Sequence, residues 1–110
     1  MLPQKILRDR LNHDKIIVTP GIYDAFGAMM AERAGFEALY LSGASIAYTK
    51  LGRPDIGLIT LDELASVLGT IRERTNLPTI VDIDTGFKSC EKTVQTFEEF
   101  GVAAVHLEDQ

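Results

Sequence analysis

Asp82 and Asp84 stand two residues apart in TIVDIDTGF (79–87), and His106 and Glu108 stand two apart in AVHLEDQ (104–110). In a strand, residues i and i+2 share a face. Each pair therefore points one way, and neighbouring strands lie only ~4.8 Å apart. If the two strands pair in sequence order, Asp82, Asp84 and Glu108 converge at one end of the sheet. Carboxylates so crowded repel and raise one another's pKa. A hard divalent cation removes the conflict, and an oxygen-only donor set suits Mg²⁺. Mg²⁺ keeps several waters, so Asp82 is assigned as direct ligand, with Asp84 and Glu108 acting through water. The structural alternative is that these acids cap the next helix or pair with Lys or Arg.

Other residues offer chemistry with an ordinary alternative beside it. Ser42-Gly43 presents a hydroxyl and backbone N–H groups to an anion, or simply makes a turn. Asp55 in GRPDIG is a loop carboxylate that reaches the site, or a turn residue; Arg53 meets a substrate carboxylate, or is solvated. His106 reads as a satisfied core histidine rather than a ligand, and Tyr40 as a core residue with its hydroxyl near the pocket. Cys90 begins a helix, where a thiol pKa can fall, yet no His is close in sequence, so it reads as buried or incidental. Met29 and Met30 read as helix packing residues.

The elements that must place these residues alternate short β-rich runs with helix-period segments. A helix is expected over 2–12, with Ile6, Leu7 and Leu11 on one side, then a strand over 15–21 stopped by Pro20-Gly21. A helix follows over 23–34 with Gly35 at its end, then a strand over 38–42. Residues 42–59 form a long loop with room for a helical turn. Thr60 and Glu63 form a capping box for a helix carrying Leu61, Leu64, Leu68 and Ile71. A strand over 79–84 leads to a helix capped by Ser89, with Val94, Phe97 and Phe100 inward, and then to a strand over 103–108. Strands separated by helices imply a parallel sheet with right-handed crossovers. Both an open doubly wound sheet and part of a β/α barrel fit, and both bind ligands at the carboxyl ends of their strands.

Composition narrows the partners. The 110 residues are 45% hydrophobic and 25% charged, which suits one soluble domain over 1–110. A net charge of −5 and no cluster of Lys and Arg argue against nucleic acid and anionic membranes. No apolar run reaches the ~18 residues of a membrane span. The single cysteine excludes an internal disulfide, and the reducing cytoplasm is the default compartment.

YLSGASIAYTKLGRPDIGLIT, VDIDTGF and HLEDQ, with PGIYDAFGAMMAERAGFEALYLSG before them, together resemble the isocitrate lyase / phosphoenolpyruvate mutase superfamily. Within it they most resemble the 2-methylisocitrate lyase and carboxyvinyl-carboxyphosphonate phosphorylmutase branches. The resemblance runs in order from about Leu7 to Gln110. It implies a TIM-type β/α barrel and Mg²⁺-dependent lyase chemistry through an enolate of pyruvate type, on a small carboxylate. Oxaloacetate decarboxylation and phosphonate chemistry belong to the same set. Asp82 then matches the acid that holds Mg²⁺, Asp84 and Glu108 match acids on its waters, and Asp55 matches a loop acid nearby. Ser42, Gly43 and Ala44 match the segment that holds the substrate carboxylate, with Tyr40 beside it. The family's acid–base cysteine falls after Gln110, and Cys90 does not replace it, so no lyase turnover is expected of this chain alone. A complete barrel has eight strands and ~250 residues, so the expectation is the amino-terminal half barrel of an enzyme that is commonly a tetramer. Two rivals are a non-catalytic domain that keeps the carboxylate site, and a receiver-like sheet of order 2-1-3-4.

Overall fold

A computed structural model describes residues 2–54 and 59–109. Its elements in chain order are α1 (Pro3–Leu11), β1 (Gly21–Ile22), α2 (Ala25–Arg33), β2 (Leu39–Leu41), α3 (Gly43–Ile46), a π-helical turn (Ala47–Leu51), α4 (Leu61–Arg74), β3 (Thr79–Asp82), α5 (Cys90–Glu99) and β4 (Ala104–His106).

The helices that follow the strands begin where a side chain accepts from the first turn. The Asp24 carboxylate accepts from Gly27 N–H, and Ser89 Oγ accepts from Lys92 N–H. Thr60 and Glu63 form the full reciprocal capping box. Alternation along the strands then decides what each face meets. Leu39, Leu41, Thr79, Val81 and Ile83 are buried, while Tyr40, Ile80, Asp82 and Asp84 are half-buried. Leu39, Leu41, Val81 and Ile83 pack with Ala28, Ala31, Leu64, Leu68, Ile71 and Phe97 of the helices into one core. The opposite face of the sheet carries Tyr40, Ile80 and Asp82.

All strand pairs are parallel, in the order β1-β2-β3-β4. This sequential order is that of a TIM-type β/α barrel and excludes the receiver-like order. The register sets Tyr40 opposite Ile80, and Asp82 opposite His106. α1 lies near the amino ends of the strands. Its Arg10 donates to Glu37 at 2.7 Å, just before β2, and to the carbonyls of Lys15 and Ile16.

Four expectations need correction. The first strand is not 15–21 but Gly21–Ile22, joined to β2 by the bond from Tyr40 N–H to the Pro20 carbonyl. Ile16 is 86% and Val18 61% exposed, so the β-branched run has no sheet surface to pack on. Met29 and Met30 are exposed, because α2 reaches the core through its small residues Ala28 and Ala31. In α5 the buried residues are Thr93 and Phe97; Val94 is exposed beside Val105, along an open cleft of about 180 Å³. In α1 only Leu7 is buried, and Ile6 and Leu11 face outward. The long loop does hold helix, as α3 and the π-helical turn that Gly52 ends in the left-handed conformation.

Candidate metal and carboxylate site

The site is built on the turn that ends β3. Asp82 Oδ1 accepts from Asp84 N–H at 2.9 Å, and Gly86 N–H donates to the Ile83 carbonyl at 2.8 Å. Three residues of this turn are left-handed: Asp84 (φ 50°), Gly86 (φ 96°) and Phe87 (φ 59°). Such backbone is held only where its surroundings over-determine it. Here the buried Thr93 of α5 donates its hydroxyl to the Gly86 carbonyl at 2.9 Å. A Cβ on Gly86 would fall 2.1 Å from Cys90 Sγ, so α5 starts flush against the turn.

β4 continues alongside. Ile83 N–H donates to the His106 carbonyl at 3.0 Å, and Glu108 N–H to the Asp84 carbonyl at 2.7 Å. Glu108 is thereby fixed next to Asp84. Asp82, Asp84 and Glu108, each half-buried, offer carboxylate oxygens that all lie within 4.8 Å of one another. The donor set is oxygen only. An ion ~2.1 Å from one carboxylate would meet the others directly or through one water, so the residues present fit Mg²⁺.

The turn after β2 closes one side. Gly43 is buried, and a Cβ placed on it would lie 3.8 Å from Asp84 Oδ2. Its lack of a side chain lets the backbone approach the acids. Ser42 caps α3: its Oγ accepts from Ala44 N–H at 3.1 Å, while its carbonyl accepts from the Ser45 hydroxyl at 2.7 Å. Ala44 N–H is therefore engaged within the turn.

Tyr40 reaches over from β2. Its hydroxyl lies 3.0 Å from His106 Nδ1, and the two rings are 6.4 Å apart. Burial pushes the phenol pKa up; the charge of Asp82 and its hydrogen bond to the hydroxyl push it further, followed by the charges of Glu108 and Asp84. Carboxylates beside a phenol favour its neutral form.

Tyr40, Gly43, Asp82, Asp84 and Glu108 thus lie together at one end of the sheet, with Ser42 and Ala44 in the adjoining turn. Asp55 lies outside the described residues. Arg53 is exposed. Two readings change. His106 is exposed rather than a core histidine, because its strand face looks away from the helices. Cys90 is exposed too, its thiol 3.5 Å from the Thr85 carbonyl. The His106–Tyr40 contact and the Thr93 bond were not legible; the one available signal was that Tyr40 and His106 occupy the same face as Asp82.

No described helix is long and apolar enough to cross a membrane. The phosphoenolpyruvate phosphomutase family profile matches residues 7–110. The chain is 48% identical over 111 residues to the 2-methylisocitrate lyase of Aeropyrum pernix, covering 98% of this chain and 36% of that protein. The crystal structure of a 2,3-dimethylmalate lyase superimposes with a TM-score of 0.91 at 37% identity, covering all of this chain and 41% of that one. An oxaloacetate acetylhydrolase solved with its product oxalate gives 0.89 at 36% identity, covering 100% and 41%. The chain spans little more than a third of the length of the curated relatives it matches. Those matches, over four parallel strands in sequential order, identify the chain as a member of the phosphoenolpyruvate phosphomutase family.

Proposed function

We propose that these residues form the metal- and carboxylate-binding part of a Mg²⁺-dependent carbon–carbon lyase. Its substrate is a small 2-hydroxy or 2-oxo di- or tricarboxylate, with 2-methylisocitrate the leading case. The observation that carries this reading is the convergence of Asp82, Asp84 and Glu108 within 4.8 Å beside the Ser42-Gly43 turn. The relatives support the substrate class. A 2-methylisocitrate lyase, a 2,3-dimethylmalate lyase and an oxalate-bound hydrolase all handle small carboxylates.

Asp82 would hold the ion, with Asp84 and Glu108 on its waters. When bound, Mg²⁺ would supply the positive charge that offsets charge developing on a keto or enolate oxygen. The chain's own residues do the rest of the positioning. The Ser42 hydroxyl donates to the substrate carboxylate, and Gly43 leaves the room that carboxylate needs. The neutral Tyr40 hydroxyl adds a donor in a region otherwise rich in acceptors. The left-handed turn is held by the Asp84 N–H bond to Asp82 and by the Thr93 bond to Gly86, and so fixes the backbone that carries both acids.

Calorimetric titration of the chain with Mg²⁺, in the absence and presence of oxalate as a carboxylate probe, tests this. Heat of binding is expected with the parent sequence, enhanced by oxalate and lost with Asp82→Asn. A flat Mg²⁺ titration of the folded parent chain overturns the assignment.

A further inference from the structure

Tyr40 and His106 sit on β2 and β4, with β3 between them, so their backbones are about two strand spacings (~9.6 Å) apart. Yet the hydroxyl and Nδ1 are 3.0 Å apart, the rings tilted at 56°. The two side chains meet across β3, Tyr40 from the level of Ile80 and His106 from the level of Asp82 in the register. The proton inventory of the three groups is small. An ionised carboxylate only accepts, a phenol has one proton to give, and a neutral imidazole has one N–H. If the hydroxyl gave its proton to Nδ1, it would turn a lone pair toward the charge of Asp82. If Nδ1–H donates instead, the phenol proton is free to face the acid, and all three groups are satisfied.

We propose that His106 is a positioning residue: its Nδ1–H donates to the Tyr40 hydroxyl oxygen, turning the hydroxyl proton toward Asp82 and steadying the carboxylate that is to hold the ion. Asp82 is then held twice, by Tyr40 and by Asp84 N–H at 2.9 Å. This outer support is of the kind that sets ligand orientation at metal sites. The inference rests on the metal reading of the site for its consequence, but the direction of the Tyr40–His106 bond can be measured without any metal.

¹⁵N NMR of the histidine rings at pH 8, with His13→Gln used for assignment, reads the tautomer directly. His106 is expected with hydrogen on Nδ1; hydrogen on Nε2 overturns the proposal. Mg²⁺ affinity supplies the second reading. His106→Leu is expected to bind about tenfold more weakly. His106→Asn keeps a side-chain amide close to the Nδ1 position and is expected to stay within about threefold of the parent. Equal affinity of His106→Leu and the parent also overturns it. A parent chain that ignores Mg²⁺ counts against the metal reading instead, and the tautomer then decides the positioning role alone.

Discussion

At the scale of single residues the left-handed turn after β3 is the most demanding feature. Gly86→Ala introduces a Cβ at φ 96°, 2.1 Å from Cys90 Sγ and 3.3 Å from Cys90 Cα. The backbone conformation alone opposes an L side chain by roughly 1–2 kcal/mol, and the clash adds to it. A fall of about 2 kcal/mol or more in unfolding free energy is expected by urea denaturation. Adding Cys90→Ala should recover part of that loss, since the sulfur contact goes but the strain stays; full recovery would show that the backbone conformation costs nothing. Tyr40 gives a pH signature. Its folded-state pKa is raised by burial and by Asp82, so the folded chain holds the phenol proton more tightly than the unfolded one. This stabilisation is complete below the ordinary phenol value of ~10 and is lost as pH rises through the higher folded value. The urea midpoint of the parent should therefore fall more steeply above pH 10 than that of Tyr40→Phe. Parallel curves would remove the argument.

At the scale of elements, Arg72 of α4 ties its neighbours together. Its Nε donates to the Phe100 carbonyl at the end of α5 at 3.1 Å, and Nη1 to the Leu77 carbonyl before β3 at 3.0 Å. Arg72→Met keeps the aliphatic stem and takes the Arg72 donor from the Phe100 carbonyl, while the Leu77 carbonyl keeps its bond from the Thr79 hydroxyl; this should lower stability by about 1–3 kcal/mol. Arg72→Lys, a single point donor, should fall between the two. Chemical denaturation of the three proteins checks the order. The elements themselves were largely legible, and the reasons are local. Thr60 and Ser89 announce helix starts through bonds made within four residues. The i, i+2 rule with sequential strand pairing pointed to Asp82, Asp84 and Glu108, although Asp84 lies past the end of β3 in left-handed backbone and Glu108 past the end of β4. The failures needed longer-range knowledge. KIIVTPG has strand propensity, but a strand needs partners on its ladder, and only its last residues meet β2. Helical periodicity put Val94 inward, yet Thr93 takes the buried place because the Gly86 carbonyl requires its hydroxyl. The Tyr40–His106 bond spans three strands and depends on side-chain directions that no spacing encodes.

At the scale of the whole molecule, the open face of the sheet concentrates acid in a chain of net charge −5. Three carboxylates within 4.8 Å repel whenever nothing positive lies among them, and that repulsion works against the folded state in particular. The unfolded chain has no reason to gather residues 82, 84 and 108, so an ion that binds the cluster binds the fold and stabilises it by linkage. At a hundredfold excess over Kd the gain is about 2.7 kcal/mol. For a domain of this size that is a rise in Tm on the order of 10 °C. Thermal unfolding followed by circular dichroism should show such a rise with millimolar MgCl₂, reversed by EDTA. NaCl at matched ionic strength should give only a small part of it, since screening weakens the repulsion without replacing it by an attraction. Asp82→Asn removes one charge of the cluster. It should be at least as stable as the parent without the ion, and should show no rise with it. A parent whose Tm follows ionic strength alone, whatever the cation, would mean that the acids are merely crowded.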